Sequence, residues 1–160
     1  MREMVARDVM NPELLVVSDR MTVADLAEFL VDNEISGAPV EDAEGRLVGV
    51  VSLSDVARTF TERDQAVMTH ADHDYYLRSW EERFNAEDLA GLRIAESDAT
   101  VGEIMTPSIL AVDEELPISR VAAKMIDSRV HRLLVTRDRK VTGILSTTDL
   151  LGLLVDDDRR

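Results

Sequence analysis

The 160-residue sequence predicts an α/β fold of the α+β kind, in which two β-α-β-β-α repeats pack about a pseudo-twofold axis with a helical insert between them. Three observations predict it. Similar residues recur about 95 positions apart, with Met10 returning as Met105 and Pro12 as Pro107. Each copy shows the same succession of strand and helix patterns. A unit of about 50 residues also buries too little apolar surface to stand alone, so two copies are expected to share their burial.

The copies open as ARDVMNPELLVVSD and VGEIMTPSILAVDE. Each begins with a short β-rich run, Leu14 to Val17 or Ile109 to Val112. A helix follows. Val23, Leu26, Ala27 and Leu30 recur at i, i+3, i+4 and i+7, and Ile118, Val121, Ala122 and Met125 repeat that stripe. Thr22 suits the cap of the first helix, and Pro117 suits the first turn of the second. Two strands come next, Ala38 to Val40 and Leu47 to Val51, joined by the turn-like EDAEGR. Their counterparts are Leu133 to Thr136 and Val141 to Leu145, joined by RDRK, where a one-residue deletion shortens the spacing to 94. A closing helix is expected after Ser52-Leu53-Ser54-Asp55 and after Ser146-Thr147-Thr148-Asp149. The chain therefore divides into a repeat over 1–58, an insert over 59–99, a second repeat over 100–155 and a charged tail over 156–160.

Composition narrows the function. Cysteine is absent and there are only three histidines, which excludes a disulfide framework and thiolate metal sites. His70 and His73, flanked by aspartates, read better as a solvated helix start than as metal ligands. A net charge of -14 opposes a nucleic-acid backbone. Screening over about 8 Å at physiological salt still lets a local basic cluster hold one phosphate. No run reaches the roughly 18 apolar residues of a membrane span, and the opening lacks the apolar stretch of a signal peptide, so a cytoplasmic protein is expected. No nucleophile, base and orienting group can be assembled, and no enzyme activity is expected.

The motifs D-V-M-N-P and E-I-M-T-P, I-S-G-A-P-V and V-H-R-L-L-V, then G-V-V-S-L-S-D and G-I-L-S-T-T-D, taken in order and in duplicate, resemble the CBS domain family, whose tandem pairs form Bateman modules. The resemblance covers about residues 5 to 58 and 100 to 154. The second copy departs from it at Leu134, where the family often has the proline seen at Pro39, which puts the local strand geometry there in doubt. The resemblance implies a non-catalytic regulatory homodimer that binds AMP, ADP or ATP, with or without Mg2+, or else S-adenosylmethionine or NADH, in clefts between repeats.

Ser52 with Asp55 and Ser146 with Asp149 first read as helix capping boxes. Family position adds that each aspartate offers two acceptor oxygens to the 2′ and 3′ hydroxyls of a ribose. Ser52, Ser54, Ser146 and Thr148 are then expected to add contacts at the helix starts to sugar or phosphate. His131 and Arg132 interrupt an apolar strand region. They are either solvated or, as a matching basic pair in relatives implies, phosphate contacts that share the stronger site with Asp55. Their counterparts Ser36 and Gly37 carry no charge, so the two sites are expected to differ in affinity. Ile35, Ala38, Val130 and Leu133 lie where relatives hold the adenine, or else are plain core.

Four of the six aromatic residues, Tyr75, Tyr76, Trp80 and Phe84, gather in the insert, which is expected to be helical. Either it packs over the module or in a dimer seam, or it serves as a lid or docking surface for a protein effector. A protein-interaction module with degenerate clefts is the alternative reading of the whole chain.

Overall fold

The computed structural model describes residues 2–60, 74–77 and 98–157. In chain order the elements are α1 (Ala6–Val9), β1 (Val17–Ser18), α2 (Val23–Asp32), β2 (Gly37–Glu41), β3 (Leu47–Ser52), α3 (Leu53–Phe60), α4 (Asp74–Leu77), α5 (Val101–Ile104), β4 (Ala111–Asp113), α6 (Ile118–Ser128), β5 (Arg132–Arg137), β6 (Lys140–Ser146) and α7 (Thr147–Asp157). They form two three-stranded sheets, β1-β2-β3 and β4-β5-β6, each with one parallel and one antiparallel pair. This is the mixed α+β architecture expected of the repeat.

The chain forms two compact units. A central unit spans Leu15–Ile109, and a terminal unit joins Met1–Leu14 to Leu110–Arg160. These units do not follow the order of the copies along the sequence, because each copy's Met-x-Pro segment belongs to the body built by the other. In the terminal unit Asn11 exchanges backbone hydrogen bonds with Ile144 at 2.8 and 3.0 Å. In the central unit Thr106 does the same with Val50 at 2.8 and 2.9 Å. Glycine makes both contacts possible. A Cβ on Gly49 would stand 2.7 Å from the Thr106 carbonyl oxygen, and one on Gly143 would stand 2.6 Å from the Met10 sulfur and 2.9 Å from the Asn11 carbonyl oxygen.

The helical stripes face inward as their spacing dictates. Val23, Leu26 and Leu30 of α2 are buried beside Val17, Val40, Val51 and Val56, while Val121 and Met125 of α6 are buried in the terminal unit with Leu133, Leu134 and Leu145. Burying each such side chain stabilises the fold by about 1.5 to 3 kcal/mol. Thr22 caps α2, its hydroxyl oxygen accepting the Asp25 N–H at 3.2 Å, and Pro117 occupies the N-cap of α6.

Both hairpins differ in the turn, where the deletion falls. The first turn needs Gly45, whose φ is 77°, and is held by Asp42, whose carboxylate accepts the backbone N–H groups of Glu44 and Arg46. Those bonds, led by the one from Arg46, hold the Asp42 carboxyl below its ordinary pKa. The second turn has only Asp138 and Arg139 between the strands, both at positive φ, the geometry of a two-residue primed turn.

Some boundaries differ from expectation. The first strand of each copy begins later than the apolar run suggests, because only residues that pair with β2 or β5 become strand. Pro39 explains why β1 is a residue shorter than β4. Val50, opposite Pro39, turns its backbone groups to Thr106, so the Pro39–Val50 pair is not hydrogen-bonded and the Pro39 nitrogen faces the first strand. At the equivalent place the Leu134 N–H donates to the Leu110 carbonyl at 3.1 Å, and Ala111 pairs with Leu134. Proline has no such donor. The closing helices begin at Leu53 and Thr147, directly after the serines rather than after the aspartates, and α7 continues to Asp157 instead of yielding to a tail at 156. Most of the insert, with His70, His73, Trp80 and Phe84, lies outside the described residues, as do residues 158–160. Among the described residues, no helix is long and apolar enough to cross a membrane.

Candidate functional site

Each unit brings its Ser-x-x-Asp motif to the corner where a hairpin strand runs straight into a helix. In the terminal unit the Asp149 Oδ2 accepts the Ser146 N–H at 2.8 Å and the Ser146 hydroxyl at 2.9 Å, and the Asp149 N–H returns a bond to that hydroxyl oxygen at 3.2 Å. This is a complete capping box. In the central unit the Asp55 Oδ2 likewise accepts the Ser52 N–H at 2.8 Å and the Ser52 hydroxyl at 3.2 Å.

The second carboxylate oxygen separates the two corners. The Asp55 Oδ1 accepts the Thr106 hydroxyl at 2.9 Å and is ion-paired with Arg58. Asp55 is buried, with 4% of its surface exposed. Burial pushes its carboxyl above the ordinary pKa, while the bonds from Ser52 and Thr106 and the charge of Arg58 pull it back. Asp149 is only half-buried, and its Oδ1 accepts no hydrogen bond from the described residues. Arg58 has Gly152 as its counterpart, and Thr106 has Asn11, whose side-chain oxygen accepts the Glu13 N–H at 3.0 Å.

Strand pairing sets the remaining candidates around these corners. Arg132, the first residue of β5, is half-buried and lies directly across from Ser146, while Gly37 lies across from Ser52. His131 is exposed and its carbonyl accepts the Thr147 N–H at 2.9 Å; the Ser36 carbonyl accepts the Leu53 N–H at 2.9 Å in the same way. Ser54 is half-buried, its carbonyl accepting Arg58 Nε at 3.2 Å, and Thr148 is exposed. Ala38, Val130 and Leu133 are buried core residues, and Ile35 packs against the core of the central unit. The terminal unit thus gathers Val130, His131, Arg132, Leu133, Ser146, Thr148 and Asp149, and the central unit gathers Ile35, Ala38, Ser52, Ser54 and Asp55.

Three participants were not read from the sequence. Arg58 stands one helical turn after Asp55, a spacing that signals an ion pair. Thr106 carries no such signal, because its bond to Asp55 spans 51 positions. The sequence marks Tyr75 as one of the insert's aromatic residues but not as part of this corner. It is buried against the central unit, and a Cβ on Gly37 would meet its ring at 2.9 Å. Tyr76 is fully buried and donates its hydroxyl to the Ser108 carbonyl at 3.0 Å, with the two rings edge-to-face at 5.3 Å.

Two β-α-β-β-α copies that end in capped Ser-x-x-Asp corners define a tandem pair, and the family description of the CBS domain matches residues 6–62 and 101–156. The chain belongs to the CBS domain family. It is similar to an uncharacterized protein of Methanocaldococcus jannaschii, 27% identical over 162 residues that cover 95% of this chain and 92% of that protein. It is also similar to the CBS domain-containing protein CBSX2 of Arabidopsis thaliana, described as chloroplastic, with 31% identity over 147 residues, 87% of this chain and 58% of that protein. A crystal structure of CBSX2 in complex with AMP is 27% identical to it, with a TM-score of 0.63 over 96% of this chain and 98% of that one.

Proposed function

We propose that this chain is a regulatory module that binds an adenine nucleotide, AMP, ADP or ATP, with or without Mg2+, and catalyses no reaction itself. The observation that carries the proposal is the corner of the terminal unit. Strand register sets Arg132 across from Ser146, and the following helix start presents a half-buried Asp149 with one oxygen that accepts nothing from the described residues. A carboxylate at a helix start and an arginine on the strand position across from the capping serine suit the two ends of a nucleotide, the carboxylate accepting ribose hydroxyls and the guanidinium donating to phosphate. The likeness to CBSX2, solved with AMP, supports the same ligand class.

In this reading Asp149 and Asp55 take ribose, with Ser52, Ser54, Ser146 and Thr148 adding hydroxyl contacts. His131 and Arg132 take phosphate. Backbone and apolar groups at Ile35, Ala38, Val130 and Leu133 take adenine. The working form is a cytoplasmic homodimer acting on a protein effector. Exposed apolar side chains on α6 and α7, Ile126, Leu151, Leu154 and Val155, each more than half exposed, support a second copy as their cover.

Calorimetric titration of the intact chain with AMP, ADP and ATP tests the proposal. At least one should bind, and Asp149→Asn, which keeps an acceptor oxygen for the Ser146 cap, and Arg132→Ala should each weaken that binding about tenfold or more, the scale of a lost charge-assisted hydrogen bond, while the chain stays folded. Failure of all three nucleotides to bind overturns the proposal.

A further inference from the structure

The two aspartates that duplication made equivalent have ceased to be so. A carboxylate offers about four acceptor positions, and at Asp55 the Ser52 N–H and hydroxyl, the Thr106 hydroxyl and the Arg58 guanidinium use them all. At Asp149, among the described residues, only the Ser146 groups donate to the carboxylate. A second difference points the same way. The position equivalent to Arg132 is Gly37, and the space a side chain there would enter is taken by the ring of Tyr75, 2.9 Å from the place of its Cβ. In the central unit a cation from α3 and an aromatic ring from the insert thus stand where a nucleotide's ribose and phosphate contacts would be.

We infer that Arg58, Thr106 and Tyr75 form a latch that fills the Asp55 corner from within, so that a nucleotide engages Asp149 directly and reaches Asp55 only after Arg58 is displaced. The inference rests on the reading of both aspartates as ribose acceptors. It deepens that reading by ranking the two corners and naming what governs the weaker one, and it reverses the expectation that Asp55 with His131 and Arg132 makes the stronger site, because Arg132 lies across from Ser146 while both oxygens of Asp55 are engaged. Arg58 acts as an internal competitor, since its guanidinium occupies the acceptor oxygen that a ribose hydroxyl would need. Thr106 ties the latch to the Met-x-Pro segment, because the residue that bonds Asp55 also pairs with Val50. Occupation of the Asp55 corner would therefore loosen a contact between α3 and that segment. In this way a second ligand becomes a mechanical event as well as a binding one.

AMP titrations of the intact wild-type chain, Asp149→Asn and Arg58→Ala test the ranking. Asp149→Asn should weaken the tighter step about tenfold, and Arg58→Ala should strengthen the weaker step by about the same factor. A tighter step unchanged in Asp149→Asn, or a weaker step unchanged or lost in Arg58→Ala, overturns the inference. A ligand-free measurement separates it from the reading beneath it. In carboxyl-detected NMR, removal of the Arg58 charge should move the Asp55 titration to higher pH, and an unmoved titration would show that no latch exists. Absence of AMP binding in the wild type would sink the nucleotide reading, while the NMR titration would still decide the latch.

Discussion

Replacing Gly49 with alanine should unfasten the Met-x-Pro segment from the central unit, and replacing Gly152 with alanine should do the opposite of harm. The new Cβ at position 49 would lie 2.7 Å from the Thr106 carbonyl oxygen, 3.0 Å from the Met105 sulfur and 3.3 Å from the Pro107 Cα. Two of those three atoms are backbone, so a side-chain rotation cannot relieve the clash. Moving the segment lengthens the paired Val50 and Thr106 hydrogen bonds and pulls on the Thr106 bond to Asp55. Overpacking that forces a backbone shift costs about 1 to 3 kcal/mol, the strained hydrogen bonds included, and with two backbone atoms in the way a loss in the upper part of that range, about 2 to 3 kcal/mol, is expected. For a chain of this size that lowers the melting temperature by about 5 to 10 °C. Gly152 lies within α7 with nothing within 4 Å of an added Cβ, so alanine there should gain about 0.5 to 1 kcal/mol of helix stability. Urea unfolding followed by circular dichroism reads both changes. The reasoning fails if Gly49→Ala falls within about 0.5 kcal/mol of the wild type or if Gly152→Ala is the less stable of the two.

Three further outcomes are expected. Burial raises the Asp55 carboxyl above its ordinary value of 3.8, so its contribution to stability is full below that value and is lost as pH rises through the folded value; Asp55→Asn should remove this component from a urea-midpoint profile, and identical profiles would refute it. Tyr76→Phe should cost about 1 to 2 kcal/mol through the Ser108 carbonyl left without its donor, and Tyr76→Ala about 3 to 5 kcal/mol through the cavity; equal melting of both variants and the wild type would place Tyr76 outside the core. If the proposed homodimer forms through the exposed face of α7, the wild type should sediment as a dimer and Leu154→Glu as a folded monomer, and a species unchanged in mass would refute that seam.

Much of the fold was legible because it depends on local chemistry. The inward stripe of α2 follows from residue spacing on a helix, the Thr22 cap from a hydroxyl next to free N–H groups, and the two hairpins from turn residues between apolar runs. The capping role of Ser52 with Asp55 and of Ser146 with Asp149 was equally readable, since partners three positions apart meet whatever else the chain does. The strand ends were not, because a residue becomes strand only when a distant neighbour pairs with it. Pro39 shows how one missing N–H shortens a strand that pattern alone would extend.

The sequence by itself determined a duplicated β-α-β-β-α unit, its helix caps and its pair of Ser-x-x-Asp corners, all set by contacts within a few residues along the chain. Tertiary structure alone decided which Met-x-Pro segment lies on which body, why Gly49 and Gly143 must lack a side chain, and how Thr106 and Tyr75 come to stand at the central corner while the terminal one keeps an oxygen that accepts nothing from the described residues. These differences arise between residues tens of positions apart, where the spacing of residues along a chain says nothing about their distance in space.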